Sequence, residues 1–192
     1  MKSMITLFIT GLVAPTLTSA APTPGQAFYL HLSSSIPLLS GAVLRDNNTY
    51  DFGVTPAPYY NNPPYGDHPS PISVSSTNPA ELIVSPTNPH PGPISGRLSL
   101  VSAGPGDWTL SKAFSTDGVV WNVGPGREDA VVKVYEWGFE DSQAGATVLR
   151  WKEGPEGRWI AVKGIVEPWE GAAYERWVVH WLEGMFCCVV RG

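Results

Sequence analysis

Short runs in which apolar and polar residues alternate, each stopped by glycine and proline, fill the chain from Arg97 onward and limit what it can fold into. They are Arg97 to Ser102, Trp108 to Phe114, Val119 to Val123, Ala130 to Trp137, Thr147 to Trp151, Trp159 to Val166, Tyr174 to Leu182 and Met185 to Val190. A period of two puts alternate side chains on opposite faces of a strand. Gly104-Pro105-Gly106, Gly124-Pro125-Gly126 and Gly154-Pro155-Glu156-Gly157 read as the turns between them. Ala27 to Leu32, Leu38 to Leu44 and Thr49 to Val54 add strands upstream. No segment carries an apolar stripe of helical period, and Gly171 argues against even a helical turn between Pro168 and Tyr174. The pattern predicts an all-β protein, an antiparallel β-sandwich or a jelly-roll-like barrel with a long proline-rich loop.

That loop is read from proline. Pro56 to Pro105 contains twelve of the nineteen prolines and only three charged residues, Asp67, Glu81 and Arg97. Proline lacks a backbone donor, so the stretch is not helical and does not supply central strands. Ile72 to Ser75 and Glu81 to Ser85 are short enough to be edge strands within it. Residues 21–192 are expected to form one β domain with a proline-rich insertion at about 55–95. In it, Tyr59, Tyr60 and Tyr65 on a stiff backbone are candidate contact residues, against the plainer reading of an extended surface insertion.

The first twenty residues read as an address. Lys2 supplies a positive charge, Ile5 to Val13 is an apolar run too short to span a bilayer, and Thr18-Ser19-Ala20 has the small residues of a cleavage site. The expectation is a secretory signal peptide over residues 1–20 and an extracellular protein, including one held at a cell wall, with no membrane span. In that compartment Asn47-Asn48-Thr49 is a glycosylation sequon, with Asn47 as acceptor. A formal net charge of -5 with only 12 Lys+Arg excludes a phosphate-neutralising patch, so nucleic acid is not an expected partner.

Residues that could carry chemistry are sparse. His31, His68, His90 and His180 lack metal-ligand spacing, so neither a metal nor another cofactor is expected. No nucleophile elbow occurs, and Ser33-Ser34-Ser35 reads as a turn. Glu136, between Tyr135 and Trp137, and Glu175, near Tyr174 and Trp177, are the carboxylates whose aromatic surroundings suit glycosidic chemistry, although outward strand positions often carry acids. All eight tryptophans fall between Trp108 and Trp181. Trp177 and Trp181 share a face with Val179 on a strand apolar on both sides, which reads as core. Trp108 and Trp169, beside turns, are the candidates for an exposed binding platform. Cys187 and Cys188 are adjacent, so on a regular strand their sulfurs point apart. Two opposed thiols are favoured over a vicinal disulfide or a bond to another chain.

The leader, Phe28-Tyr29-Leu30, the sequon loop and the closing stretch from Trp177 to Val190 resemble the small secreted all-β proteins of filamentous fungi. That resemblance implies a cell-wall or host-facing role. Relatives of this kind bond a carboxyl-terminal cysteine to an earlier one, and this chain has no earlier cysteine, so no functional residue is carried over. The expected function is non-catalytic binding of cell-wall polysaccharide or a host surface protein. Alternatives are a small carbohydrate-active enzyme using Glu136 and Glu175, and an effector or structural protein that makes contact through its proline-rich loop.

Overall fold

A computed structural model describes residues 2–11, 21–46, 50–54, 68–85, 95–115, 120–124, 126–141, 146–152, 156–166 and 173–184. Among them are fourteen strands and no helix. The strands are β1 (Lys2–Gly11), β2 (Ala27–Ser34), β3 (Arg45–Asp46), β4 (Phe52–Val54), β5 (His68–Pro69), β6 (Ile72–Val74) and β7 (Leu82–Val84). After the proline-rich stretch come β8 (Gly96–Gly104), β9 (Asp107–Ala113), β10 (Val132–Lys133), β11 (Trp137–Asp141), β12 (Thr147–Trp151), β13 (Gly157–Val166) and β14 (Tyr174–Glu183). Every pairing between them is antiparallel.

Eight of these pairings close on themselves. β1 pairs with β2, β2 with β6, β6 with β7, β7 with β8, β8 with β9, β9 with β14, β14 with β13, and β13 with β1 again. Each antiparallel step reverses direction, so only an even number of strands can return to its start in register. Closure leaves these strands no unpaired long edge. Further strands branch from the ring: β12 and β11 from β1, β4, β3 and β5 from β14, and β10 from β8.

Alternation decides which side chains fill the ring. Phe28, Leu30 and Leu32 of β2, Leu98 and Leu100 of β8, and Trp177, Val179 and Trp181 of β14 all enter one buried cluster. Ile5 and Leu7 of β1 belong to the same cluster, while Thr6 between them is exposed. Lys2–Gly11, within the stretch read as a leader, thus forms a stave of the ring. A ten-residue stretch is too short for a bilayer but ample for a strand, so the same composition serves either use. Within the proline-rich region, β6 and β7 are paired on both sides, where edge strands were expected. Each is only three residues long, with Pro71, Pro79 and Pro86 just outside, so no ladder donor is lost.

Outside the ring, residues 120–124 and 126–136 lie over the outer faces of β8 and β9. Val123 and Val134 pack on Val101 and Ala113 in a second small cluster. Thus Val101 and Ala113 are buried although they point away from the ring interior. The expected strands over Val119 to Val123 and Ala130 to Trp137 reduce to one bridge, Phe114 to Asn122, and the two-residue β10. Glu136 has φ +79°, a left-handed backbone that ends the extended run before Trp137.

The cover is held by a charged clamp. Arg127 donates through Nη1 and Nη2 to the two carboxylate oxygens of Asp51, at 2.7 and 2.9 Å, and Ser111 Oγ donates to the same carboxylate at 2.6 Å. Bidentate geometry makes this more than a loose surface pair. Asp51→Ala is expected to destabilise the protein by about 2 kcal/mol, since charge-assisted hydrogen bonds are lost and Arg127 is left half-buried. Denaturant melts of the variant read this. Next to the clamp, backbone N–H groups of Glu128 itself and of Gly126 hold the exposed Glu128 carboxyl below its ordinary range. Its small contribution is present above the ordinary carboxylate range and disappears on acidification.

Candidate functional site

Where the cover meets the β7–β8 edge it leaves a polar cleft of about 260 Å³. Its floor is set by register. Ile83 lies opposite Arg97, so Glu81, two residues earlier, projects to the same outer face. Arg97 Nε donates to Glu81 Oε1. Glu81 is buried at 7% exposure, an unusual position for a carboxylate, and Arg97 is half-buried. Gly96 admits the neighbouring strand: a Cβ there would lie 2.5 Å from Lys112 Cγ and 2.9 Å from the Ala113 carbonyl oxygen.

The loop before Glu81 is fixed by its own polar residues. Ser75 Oγ accepts from the backbone N–H groups of Thr77 and Asn78, and Asn78 Oδ1 accepts from Ala80 N–H. The Ala80 carbonyl then accepts from Trp137 N–H at 3.1 Å, tying this loop to the end of the cover. That tie brings Tyr135 to the rim of the cleft, 44% exposed, while Trp121 lines it from the half-buried cover. Two aromatic side chains thus border a carboxylate and a guanidinium. With Nε committed to Glu81, the remaining Arg97 N–H groups are donors that the cleft can offer, and the carboxylate supplies acceptors. Glu81 is buried while Arg97 stays half-exposed, so one member of the ion pair remains in contact with the cleft.

Of the expected site residues, Glu136, Glu175 and Trp108 are described, and none of the three lines this cleft. Glu136 accepts from the Trp151 indole Nε1 at 2.9 Å, and Glu175 is exposed and paired with Lys163 at 2.6 Å. The Trp151 ring touches Trp181, which lies six residues, about 20 Å of extended strand, along β14 from Glu175. The two carboxylates are therefore not brought together across a shared cleft. Trp108 is half-buried, packed on the main core with its ring edge-on to Trp151 at 5.7 Å. Trp169, Tyr59, Tyr60, Tyr65, Asn47, Cys187 and Cys188 lie outside the described residues.

His180 Nδ1 is 2.7 Å from Asp107 Oδ1, both half-buried on the outer side of β14 and β9, and His31 Nδ1 is 3.1 Å from the Gly41 carbonyl. Among the described residues, no three His, Cys, Asp or Glu side chains are grouped to hold a metal ion, and no helix is long and apolar enough to cross a membrane.

Sequence reasoning missed Glu81, Arg97, Trp121 and Tyr135 as a group. A signal was present, because Glu81 and Arg97 are two of only three charges in fifty proline-rich residues. Their partnership, however, depends on the β7–β8 register and on a cover that arrives from far along the chain. Comparison with protein-family models, curated proteins and solved structures gave no match.

Proposed function

We propose that this is an exported, non-catalytic binding protein that recognises cell-wall polysaccharide through the Glu81–Arg97 cleft. The observation that carries the reading is the pairing of a buried carboxylate–guanidinium couple with Trp121 and Tyr135 at one small polar cleft. Neighbouring sugar hydroxyls both donate and accept, so they match a carboxylate beside an arginine. The apolar C–H face of a sugar ring matches an aromatic face with a polar rim. At about 260 Å³ the cleft suits one ring of a chain, with adjoining units running out over the surface.

Export rests on the leader composition and on the Asn47 sequon. In the chain that keeps β1, the closed pairing of eight strands supports the barrel form of the expected architecture over the sandwich. Separation of Glu136 from Glu175 favours binding over glycosidic catalysis.

Retention on insoluble β-glucan and chitin tests the reading. Tyr135→Ala, at a 44% exposed position, is expected to weaken retention at least tenfold, or about 1.4 kcal/mol, with an unchanged melting temperature. Glu81→Gln is expected to weaken it as well. Absence of retention on either polysaccharide, or retention indifferent to both substitutions, would refute the proposal.

A further inference from the structure

We infer that the Glu81–Arg97 cleft selects uncharged sugar units and rejects uronic acids, with Glu81 as the residue that sets the choice. The inference rests on the reading of this cleft as a polysaccharide site and adds the class of sugar to it. Its motivation is the charge balance of the wall. Among the described lining residues, Glu81 and Arg97 carry one charge of each sign, and the other six are serine, glycine, alanine, tryptophan and tyrosine. Their formal sum is zero. Lys112, whose stem lies against Gly96, ends 5.3 Å from the centre of the Phe114 ring and is not part of the lining.

An anionic sugar needs Arg97 as its counter-charge. Arg97 Nε already donates to Glu81 Oε1, and that carboxylate is buried in the wall beside it. A second carboxylate set on the remaining guanidinium N–H groups would stand within about 4–6 Å of the first, a range in which like charges disfavour each other. Drawing Arg97 away is no easier route, because it strands a buried carboxylate without its partner. The chain's net charge of -5 adds a repulsive field for a polyuronate. A neutral sugar meets none of these costs. One hydroxyl accepts from an Arg97 Nη while a neighbouring hydroxyl donates to the carboxylate, and the ion pair stays intact.

The backbone of Glu81 is pinned independently of its charge. Its N–H donates to the Asn78 carbonyl at 3.0 Å, and its carbonyl accepts from Ser75 N–H at 3.0 Å. Glu81→Gln therefore keeps the position and shape of the side chain, and its amide oxygen can still accept from Arg97. What changes is the sign of the cleft, from neutral to positive.

The test measures the affinity of the full chain for soluble β-glucan and chitin oligosaccharides, each paired with the same oligosaccharide oxidised at C6 from the alcohol to the carboxylate. Wild type is expected to bind the uncharged member of a pair at least tenfold more tightly, with an affinity unchanged within about twofold between low salt and about 0.5 M salt. In Glu81→Gln the order should invert, with the oxidised chain bound at least tenfold more tightly than by wild type and released by salt. The wild-type comparison needs no variant and decides the matter if Glu81→Gln does not fold. Equal or tighter binding of the oxidised chain by wild type, or a folded Glu81→Gln that keeps the wild-type order, would overturn the inference and leave the cleft as a polysaccharide site. Binding of no member of either pair, or binding indifferent to Tyr135→Ala, would overturn that reading and the inference with it.

Discussion

Leu7→Asp in the chain that keeps residues 2–11 is expected to abolish the cooperative fold. Leu7 is fully buried in the main core, directly opposite Leu32 of β2. Removing a buried leucine side chain alone costs about 2–5 kcal/mol. A carboxyl in its place adds the cost of burying a polar group without a partner, about 2–7 kcal/mol. The sum is comparable with the whole stability of a domain, about 5–15 kcal/mol. Thr6→Asp is the matched control. Its side chain is exposed, and its effect should stay within about 0.5 kcal/mol. Circular dichroism and denaturant melts of the two variants separate a ring-closing strand from an appended one, since an appended strand would leave both variants with the wild-type transition.

Trp159→Ala is expected to cost about 3–5 kcal/mol. The Trp159 ring stacks on Trp137 at 6.4 Å with planes 9° apart, and meets Trp181 edge-on at 5.0 Å. Its indole Nε1 also donates to the Leu149 carbonyl at 3.2 Å, tying β13 to β12 across the core. Gly157, opposite Glu183, admits this packing: a Cβ there would lie 2.4 Å from the Leu182 carbonyl oxygen and 2.5 Å from the Trp181 ring. Trp159→Phe keeps an aromatic face but loses the indole donor, and should recover more than half of the loss. Equal melts for the alanine and phenylalanine variants would mean that the ring contacts contribute nothing.

Much of the fold was legible because alternation is a local property. Thr147 to Trp151 coincides with β12, and Trp159 to Val166 and Tyr174 to Leu182 lie within β13 and β14, where turns and period agree. Trp177, Val179 and Trp181 were readable as core for the same reason, since an apolar strand face needs a partner. Pairing order was not legible. Nothing local says that β14 lies between β13 and β9, or that the three-residue strands β6 and β7 complete a ring. The use of Lys2–Gly11 as a stave was hidden because leader and strand draw on the same short apolar run.

The site was less legible than the fold. Glu136 and Glu175 stood out by aromatic neighbours in sequence, yet each is engaged locally, with Trp151 and Lys163. Glu81 and Arg97 stood in a region dominated by proline, and only strand register makes them partners. Tyr135 was visible merely as a neighbour of Glu136. Its place at the rim follows from the hydrogen bond that ties Trp137 to Ala80.

An amide and indole NMR titration with soluble β-glucan and chitin oligosaccharides tests whether the Glu81–Arg97 cleft takes a sugar chain. Binding at this cleft should give saturable shifts of the Trp121 indole and of the backbone signals of Ser95, Gly96 and Arg97, abolished in Tyr135→Ala and absent from the buried Trp159 indole. Saturable shifts confined to other surfaces, or none with either oligosaccharide series, would contradict it.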